Sequence, residues 1–224
     1  MKETKMRIDD LAPYIDHTFL KPAGEEDAVR KLCREAKKLK FASVCVNPCE
    51  VPLAVKALKK SDVKVCTVIG FPLGANTTRV KCFEALDAIE NGADELDFVI
   101  NQRLLKYEPE ACAAELCTIV YACRQARPAV ILKLILECCN LTKDEIAFGC
   151  KLAKEAGFDF VKTSTGFGAG GATVEDVKLM RKTVGRKMGV KAAGGIRDRA
   201  TALAMVAAGA TRLGASAGLK LMEA

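Results

Sequence analysis

A single histidine, His17, stands in the whole chain, and there is no tryptophan. Aromatics make up 5% of the residues, and none of the 11 cysteines forms a Cys-x-x-Cys. Each shortage excludes something. Zinc sites are built from closely spaced Cys and His, so no metal-ligand set is expected. An odd number of cysteines set mostly in apolar stretches predicts reduced thiols acting as small hydrophobes. No apolar run approaches the roughly 20 residues that span a bilayer. The stretch from Met1 to Asp10 is charged throughout and lacks the pattern of a secretory signal. These features predict a cytoplasmic protein without membrane contact. The formal net charge of +7 raises the question of nucleic acid. Yet the cations are scattered over helix-like stretches such as Arg30-Lys31…Lys37-Lys38 and Arg181-Lys182…Arg186-Lys187, and no nucleic-acid motif accompanies them. A solvated basic face is the expected reading, and it leaves room for a small anionic substrate.

What is present is a chain of 224 residues, 50% hydrophobic and 28% charged, the balance of a globular protein. No linker or change of composition divides it, so one domain over 1–224 is expected. Short β-branched runs alternate with amphipathic stretches. Strands are predicted at Ile15–Thr18, Ala42–Val46, Lys64–Ile69, Glu95–Ile100, Val130–Leu136, Phe158–Thr163, Gly189–Ala193 and Thr211–Gly214. Helical patterns lie between them, for example over Thr78–Asn91, Thr142–Ala156, Thr173–Thr183 and Arg199–Ala208. Several close on a glycine stop, at Gly92, Gly157 and Gly209. Strands joined by helical crossovers predict a parallel sheet, and eight such units predict an α/β fold of the (β/α)8 TIM-barrel type. The rival is an open doubly wound sheet. No Gly-x-Gly-x-x-Gly follows the early strands to support a dinucleotide site there.

In such a barrel the chemistry sits at the C-terminal ends of the strands. Four consecutive strand units carry a charge among apolar neighbours: Asp97, Lys133 (with Glu137 beyond it), Lys162 and Lys191. One mid-strand lysine is readily explained as a snorkelling strand end; four charged units in a row are not. A carbonyl reacts with a neutral amine, whereas an ordinary lysine, with pKa about 10.4, is protonated at neutral pH. Burial and a second cation nearby both favour the neutral form, and Lys162 and Lys191 on successive strands fit that arrangement. Asp97 is placed to exchange protons with a carbinolamine and a carbon acid. Three small-residue loops follow strands six, seven and eight, at Thr163–Gly171, Ala193–Gly195 and Gly214–Gly218. Their backbone N–H groups suit an anion, and barrels commonly hold phosphate in this quarter.

The segments Ile15-Asp16-His17-Thr18, Ser43-Val44-Cys45-Val46-Asn47-Pro48 and Val65-Cys66-Thr67-Val68-Ile69-Gly70-Phe71-Pro72-Leu73-Gly74 resemble the deoxyribose-phosphate aldolase family. So do Val161-Lys162-Thr163-Ser164-Thr165-Gly166-Phe167 and Lys191-Ala192-Ala193-Gly194-Gly195-Ile196-Arg197. The likeness runs from Asp16 to about Gly218. It implies a (β/α)8 lyase without metal or organic cofactor, assembled as a homodimer or homotetramer. The implied reaction cleaves 2-deoxy-D-ribose 5-phosphate reversibly to acetaldehyde and D-glyceraldehyde 3-phosphate. The resemblance makes Lys162 the Schiff-base lysine, Lys191 its electrostatic activator and Asp97 the proton relay. It places phosphate on Gly166, Gly194, Gly195, Gly214 and Ser216, and substrate contacts on Asp16, Thr18, Cys45, Lys133 and Thr165.

Some features depart from the family pattern. Ala217 stands where a second serine is frequent, and Phe167 where some members have lysine. The tyrosines, Tyr14, Tyr107 and Tyr121, include none in a C-terminal tail. Two rival readings share most of this: a Schiff-base aldolase for another phosphosugar donor, and a non-catalytic barrel that binds phosphosugars.

Overall fold

The computed structural model describes residues 9–223. Residues 1–8, most of the charged N-terminal stretch, and Ala224 lie outside it. Eight strands, β1 (Ile15–Phe19), β2 (Ser43–Val46), β3 (Lys64–Ile69), β4 (Glu95–Val99), β5 (Ile131–Ile135), β6 (Phe160–Lys162), β7 (Gly189–Ala193) and β8 (Arg212–Ala215), pair in parallel and in sequence order. The barrel closes where Asp16 of β1 meets Gly214 of β8. This is the (β/α)8 fold read from the strand repeat, and the open-sheet rival is set aside.

The principal helices are α1 (Glu26–Leu39), α2 (Val51–Ala57), α3 (Thr78–Glu90), α4 (Gln102–Tyr107), α5 (Pro109–Ala126), α6 (Lys143–Ala156), α7 (Val174–Val184), α8 (Arg199–Ala207) and the short α9 (Gly218–Leu221). Their limits follow from local chemistry. Thr142 closes a capping box with Glu145 at the start of α6, and Thr173 and Asp198 cap α7 and α8 through their side chains. Each cap satisfies a backbone N–H that the first turn leaves without a partner. The glycine stop at the end of α6 is Gly157, at φ 95°, a backbone that other residues adopt only at a cost. Among the described residues no helix is long and apolar enough to cross a membrane.

The strands alternate sharply. Outward positions such as Val44, Leu96, Phe98, Leu132, Leu134, Val161, Val190 and Leu213 join the helices in one buried apolar layer. Inward positions Asp16, Cys45, Cys66, Glu95, Asp97, Lys133, Lys162 and Lys191 are buried too, and most are charged. Burying this many charges is costly unless each is paired, so the interior is decided by ion pairs. Strand six is shorter than its apolar run suggests. The Thr163 N–H still donates to the Lys191 carbonyl at 3.1 Å, but at the next rung the Thr163 hydroxyl donates to the Ala193 carbonyl and accepts from the Ala193 N–H, each at 3.0 Å. A side chain thus replaces the backbone pairing at the place where the chain turns into the next loop.

Candidate active site

Register brings the charges together. Asp97 is the partner of Lys133 across β4 and β5, and Lys162 the partner of Lys191 across β6 and β7. Registered neighbours in a sheet project to the same side, so all four side chains enter the barrel. Lys162 Nζ donates to Asp97 Oδ2 at 2.8 Å, and Lys191 Nζ donates to the same oxygen at 2.7 Å. Lys133 takes the other oxygen, Oδ1, at 2.8 Å, and reaches Glu95 Oε2 at 2.6 Å. Lys191 also meets Asp16 Oδ2 at 2.5 Å. Arg212 joins Asp16 Oδ1, at 2.5 Å, to Glu95 Oε1, at 3.0 Å. Ser43 Oγ completes Asp16 with a 2.7 Å hydrogen bond.

Four cationic side chains therefore face three carboxylates. Lys133, Lys191 and Arg212 each touch two of those carboxylates, and Lys162 touches one. Burial opposes the charged form of Asp97, but the ammonium groups of Lys133, Lys162 and Lys191 outweigh it and hold its carboxyl well below the ordinary range. Asp16 is lowered in the same way: Lys191, Arg212 and Lys133 overcome its burial. Burial would also discharge Lys191 and Lys133, yet the surrounding carboxylates keep both above the usual lysine value. Lys191 thus stands as a fixed cation beside Lys162.

Above the cluster, at the C-terminal mouth, opens a cavity of about 290 Å³. Of the seven charged residues in the network, Lys162 is the one that lines it. Thr18, Thr165, Gly166, Gly194, Gly195, Gly214 and Ser216 line it as well, with Arg197 and Lys21 adding positive charge and Leu20 and Phe167 apolar surface. A larger hollow, about 630 Å³, lies at the other end of the barrel between Phe158–Phe160 and Val184–Gly189. It contains none of the expected site residues, so volume is a poor guide to the chemistry here.

Three of the residues expected to contact substrate sit below the cavity floor. Asp16 and Lys133 are fully buried in the ion network, and Cys45 packs with Leu20, Cys66 and Val68. Cys66 Sγ donates to Asp97 Oδ1 at 3.2 Å, and burial pushes its thiol up. Cys45, Cys66 and Asp97 converge closely enough to suggest metal ligands, but Asp97 is already saturated by ammonium groups. Gly214 has a second role: a Cβ there would lie 3.1 Å from Lys191 Cε, so its bareness gives Lys191 room to reach Asp97. Among the described residues, the N–H groups of Gly166, Gly194, Gly195 and Ser216 donate to no backbone carbonyl. A Cβ on Gly195 would meet nothing within 4 Å.

The sequence reading missed Glu95 and Arg212. Both stand at strand starts, where a charge normally reads as solvated. Their parity was the available signal: Glu95 lies two residues before Asp97, and Arg212 two before Gly214, on the inward face.

Against known proteins, residues 11–224 match the DeoC/LacD family aldolase. A deoxyribose-phosphate aldolase of Thermoanaerobacter sp. (strain X514) is 55% identical over 215 residues, 96% of each chain. One from Streptococcus suis is 57% identical over 213 residues, covering 95% of this chain and 96% of its own. The tetrameric deoxyribose phosphate aldolase structure from Aeropyrum pernix superposes with a TM-score of 0.89 at 36% identity, covering 96% of this chain and 90% of that one. The chain belongs to the DeoC/LacD family of aldolases.

Proposed function

We propose that this barrel, acting as a single domain, carries out the deoxyribose-phosphate aldolase reaction through a Schiff base on Lys162. The observation that carries the reading is that Lys162 alone belongs both to the buried ion network and to the wall of the cavity. It has one carboxylate partner where Lys133 and Lys191 have two, so giving up its charge sacrifices the least pairing and leaves three cations against three carboxylates. The neutral amine attacks the aldehyde carbon of the open-chain sugar, and loss of water gives an iminium ion. Cleavage of the bond between C2 and C3 then sends its electron pair toward the iminium nitrogen as the C3 hydroxyl loses its proton. D-glyceraldehyde 3-phosphate departs. Protonation of the enamine at C2 and hydrolysis release acetaldehyde and restore the amine.

In this scheme Asp97 exchanges protons with the carbinolamine and the carbon acid, and Lys191 supplies a fixed positive charge beside the nitrogen. The phosphate lies on the free N–H groups of Gly166, Gly194, Gly195 and Ser216, with Gly214 leaving space beneath. Thr18 and Thr165 bound the sugar chain. Asp16, Cys45 and Lys133 act through the floor of the site. The phosphosugar and aldehyde are the small-molecule partners, with no nucleic acid or membrane involved, in a cytoplasmic homodimer or homotetramer. The relatives are named for deoxyribose-phosphate, which favours this donor over a keto-sugar.

Borohydride reduction in the presence of acetaldehyde, followed by digestion and mass spectrometry, tests the assignment. An ethyl group on Lys162 is the expected result. The same group on Lys191 would overturn the assignment, and no adduct at all would overturn Schiff-base chemistry.

A further inference from the structure

Glu137 is a buried carboxylate outside the charged cluster, and its backbone is held at φ 55°, ψ 65°, the left-handed region. That conformation is unfavourable for every residue with a Cβ. Such a conformation at a loop beside a candidate site is an observation that asks for a function. The side chain supplies one. Both Glu137 carboxylate oxygens lie 3.3 Å from the Thr165 N–H, and Oε2 accepts the Thr165 hydroxyl proton in a short hydrogen bond. Thr165 Oγ1 in turn accepts from the Phe167 N–H at 3.0 Å. The next part of the loop lies against the same group, since a Cβ on Gly168 would stand 3.0 Å from Glu137 Cδ. On the other side Gln102 Nε2 donates to the carbonyls of Leu136 and Glu137, at 2.8 and 3.2 Å.

These contacts allocate the donors on either side of Gly166 in the turn after β6. The Thr165 N–H and O–H are taken by Glu137, and the Phe167 N–H is taken by Thr165. The Gly166 N–H is left free between them, on the cavity wall. Thr165 has no proton left to give a substrate, so it can only accept. We infer that Glu137 is a positioning residue that fixes the loop after β6 so that the Gly166 N–H points at the substrate's phosphate. The inference rests on the phosphate site proposed above.

The test compares Glu137→Gly and Glu137→Gln with the parent enzyme, on 2-deoxyribose 5-phosphate and on unphosphorylated 2-deoxyribose. Glycine accepts the left-handed backbone, which offsets part of the cost of leaving the Thr165 donors unpaired, so Glu137→Gly should still fold, as thermal unfolding checks. KM for the phosphorylated sugar should rise roughly 10- to 100-fold, the size of losing hydrogen bonds to a charged acceptor. Its kcat, and kcat/KM for the unphosphorylated sugar, should change far less. Glu137→Gln keeps one oxygen for the Thr165 hydroxyl and should recover part of the KM. Thr165→Val should reproduce part of the loss with the carboxylate still present. Equal damage on both sugars, or an unchanged KM on the phosphorylated one, would overturn the positioning role. A parent enzyme that handles both sugars equally would instead overturn the phosphate reading, and the positioning role with it.

Discussion

Replacing Asp97 by asparagine keeps the shape of the side chain and removes one charge from the most crowded place in the molecule. Taken from sequence alone, the substitution should leave folding intact and stop proton transfer. The structure adds a second consequence. Asp97 binds three ammonium groups, at 2.8, 2.8 and 2.7 Å, and accepts the Cys66 thiol. Without its charge, four cations would face only Asp16 and Glu95. Removing one partner from a buried ionic group costs about 3–5 kcal/mol. In a domain of this size each kcal/mol lowers Tm by about 2–4 °C, so a fall of roughly 6–20 °C is expected. Turnover should drop by about 10²–10⁴-fold, the range for a positioned acid–base group.

The two effects separate experimentally: thermal unfolding reads the first, and kcat measured well below the variant's Tm reads the second. The Asp97 carboxyl is depressed in the folded state, so its contribution is fully present above the ordinary carboxylate pKa of about 3.9 and is lost as pH falls below that value. The stability gap between parent and Asp97→Asn should therefore be constant near neutrality and shrink only under strongly acidic conditions. Near-wild-type turnover would refute the catalytic reasoning. An unchanged Tm would refute the charge count.

Lys162→Leu should abolish borohydride trapping with acetaldehyde. Lys191→Leu should retain trapping but require higher pH, because losing a neighbouring cation favours the protonated amine; a pH–trapping profile unchanged from the parent would contradict this. Gly195→Ala places a methyl group in the open space facing the cavity and should raise KM for the phosphorylated sugar more than for deoxyribose, measured side by side. Lys81 and Glu115 form a 2.8 Å ion pair between α3 and α5, at 0% and 2% side-chain exposure. Lys81→Met should cost about 3–5 kcal/mol in urea unfolding by stranding Glu115, and adding Glu115→Leu should recover much of it.

The fold was legible because strands and helices alternate at the right spacing and several helices carry their own stop or cap, as at Thr142 and Gly157. The buried lysines of the barrel, Lys133, Lys162 and Lys191, were legible because a charge in the middle of an apolar strand has few explanations. Arg212 was passed over, since a charge at a strand start normally reads as solvated, and only its parity with Gly214 set it on the face that barrel closure carries inside. Lys81 and Glu115 were hidden for a related reason: helical charges usually face water, and only the packing of α3 on α5 removes it. Glu137 stood out as a charge, but its left-handed backbone and its hold on Thr165 depend on a loop that follows the next strand.

The contact at Lys162 joins two layers of the barrel that otherwise share no charged group. Below it, the counter-ions form a closed set whose tally would stay the same if the ammonium ion became the iminium ion of the proposed reaction, so that reaction asks for no rearrangement of the floor. Above it, Leu20, Phe167 and Arg197 line the cavity and take no part in the hydrogen bonds and ion pairs of that set. Altering the upper layer should change which aldehydes fit while leaving the nitrogen's surroundings intact, whereas any charge change below it disturbs every substrate alike. Attempts to widen the range of accepted aldehydes therefore have a natural boundary, one residue deep, at the ends of β1, β6 and β7.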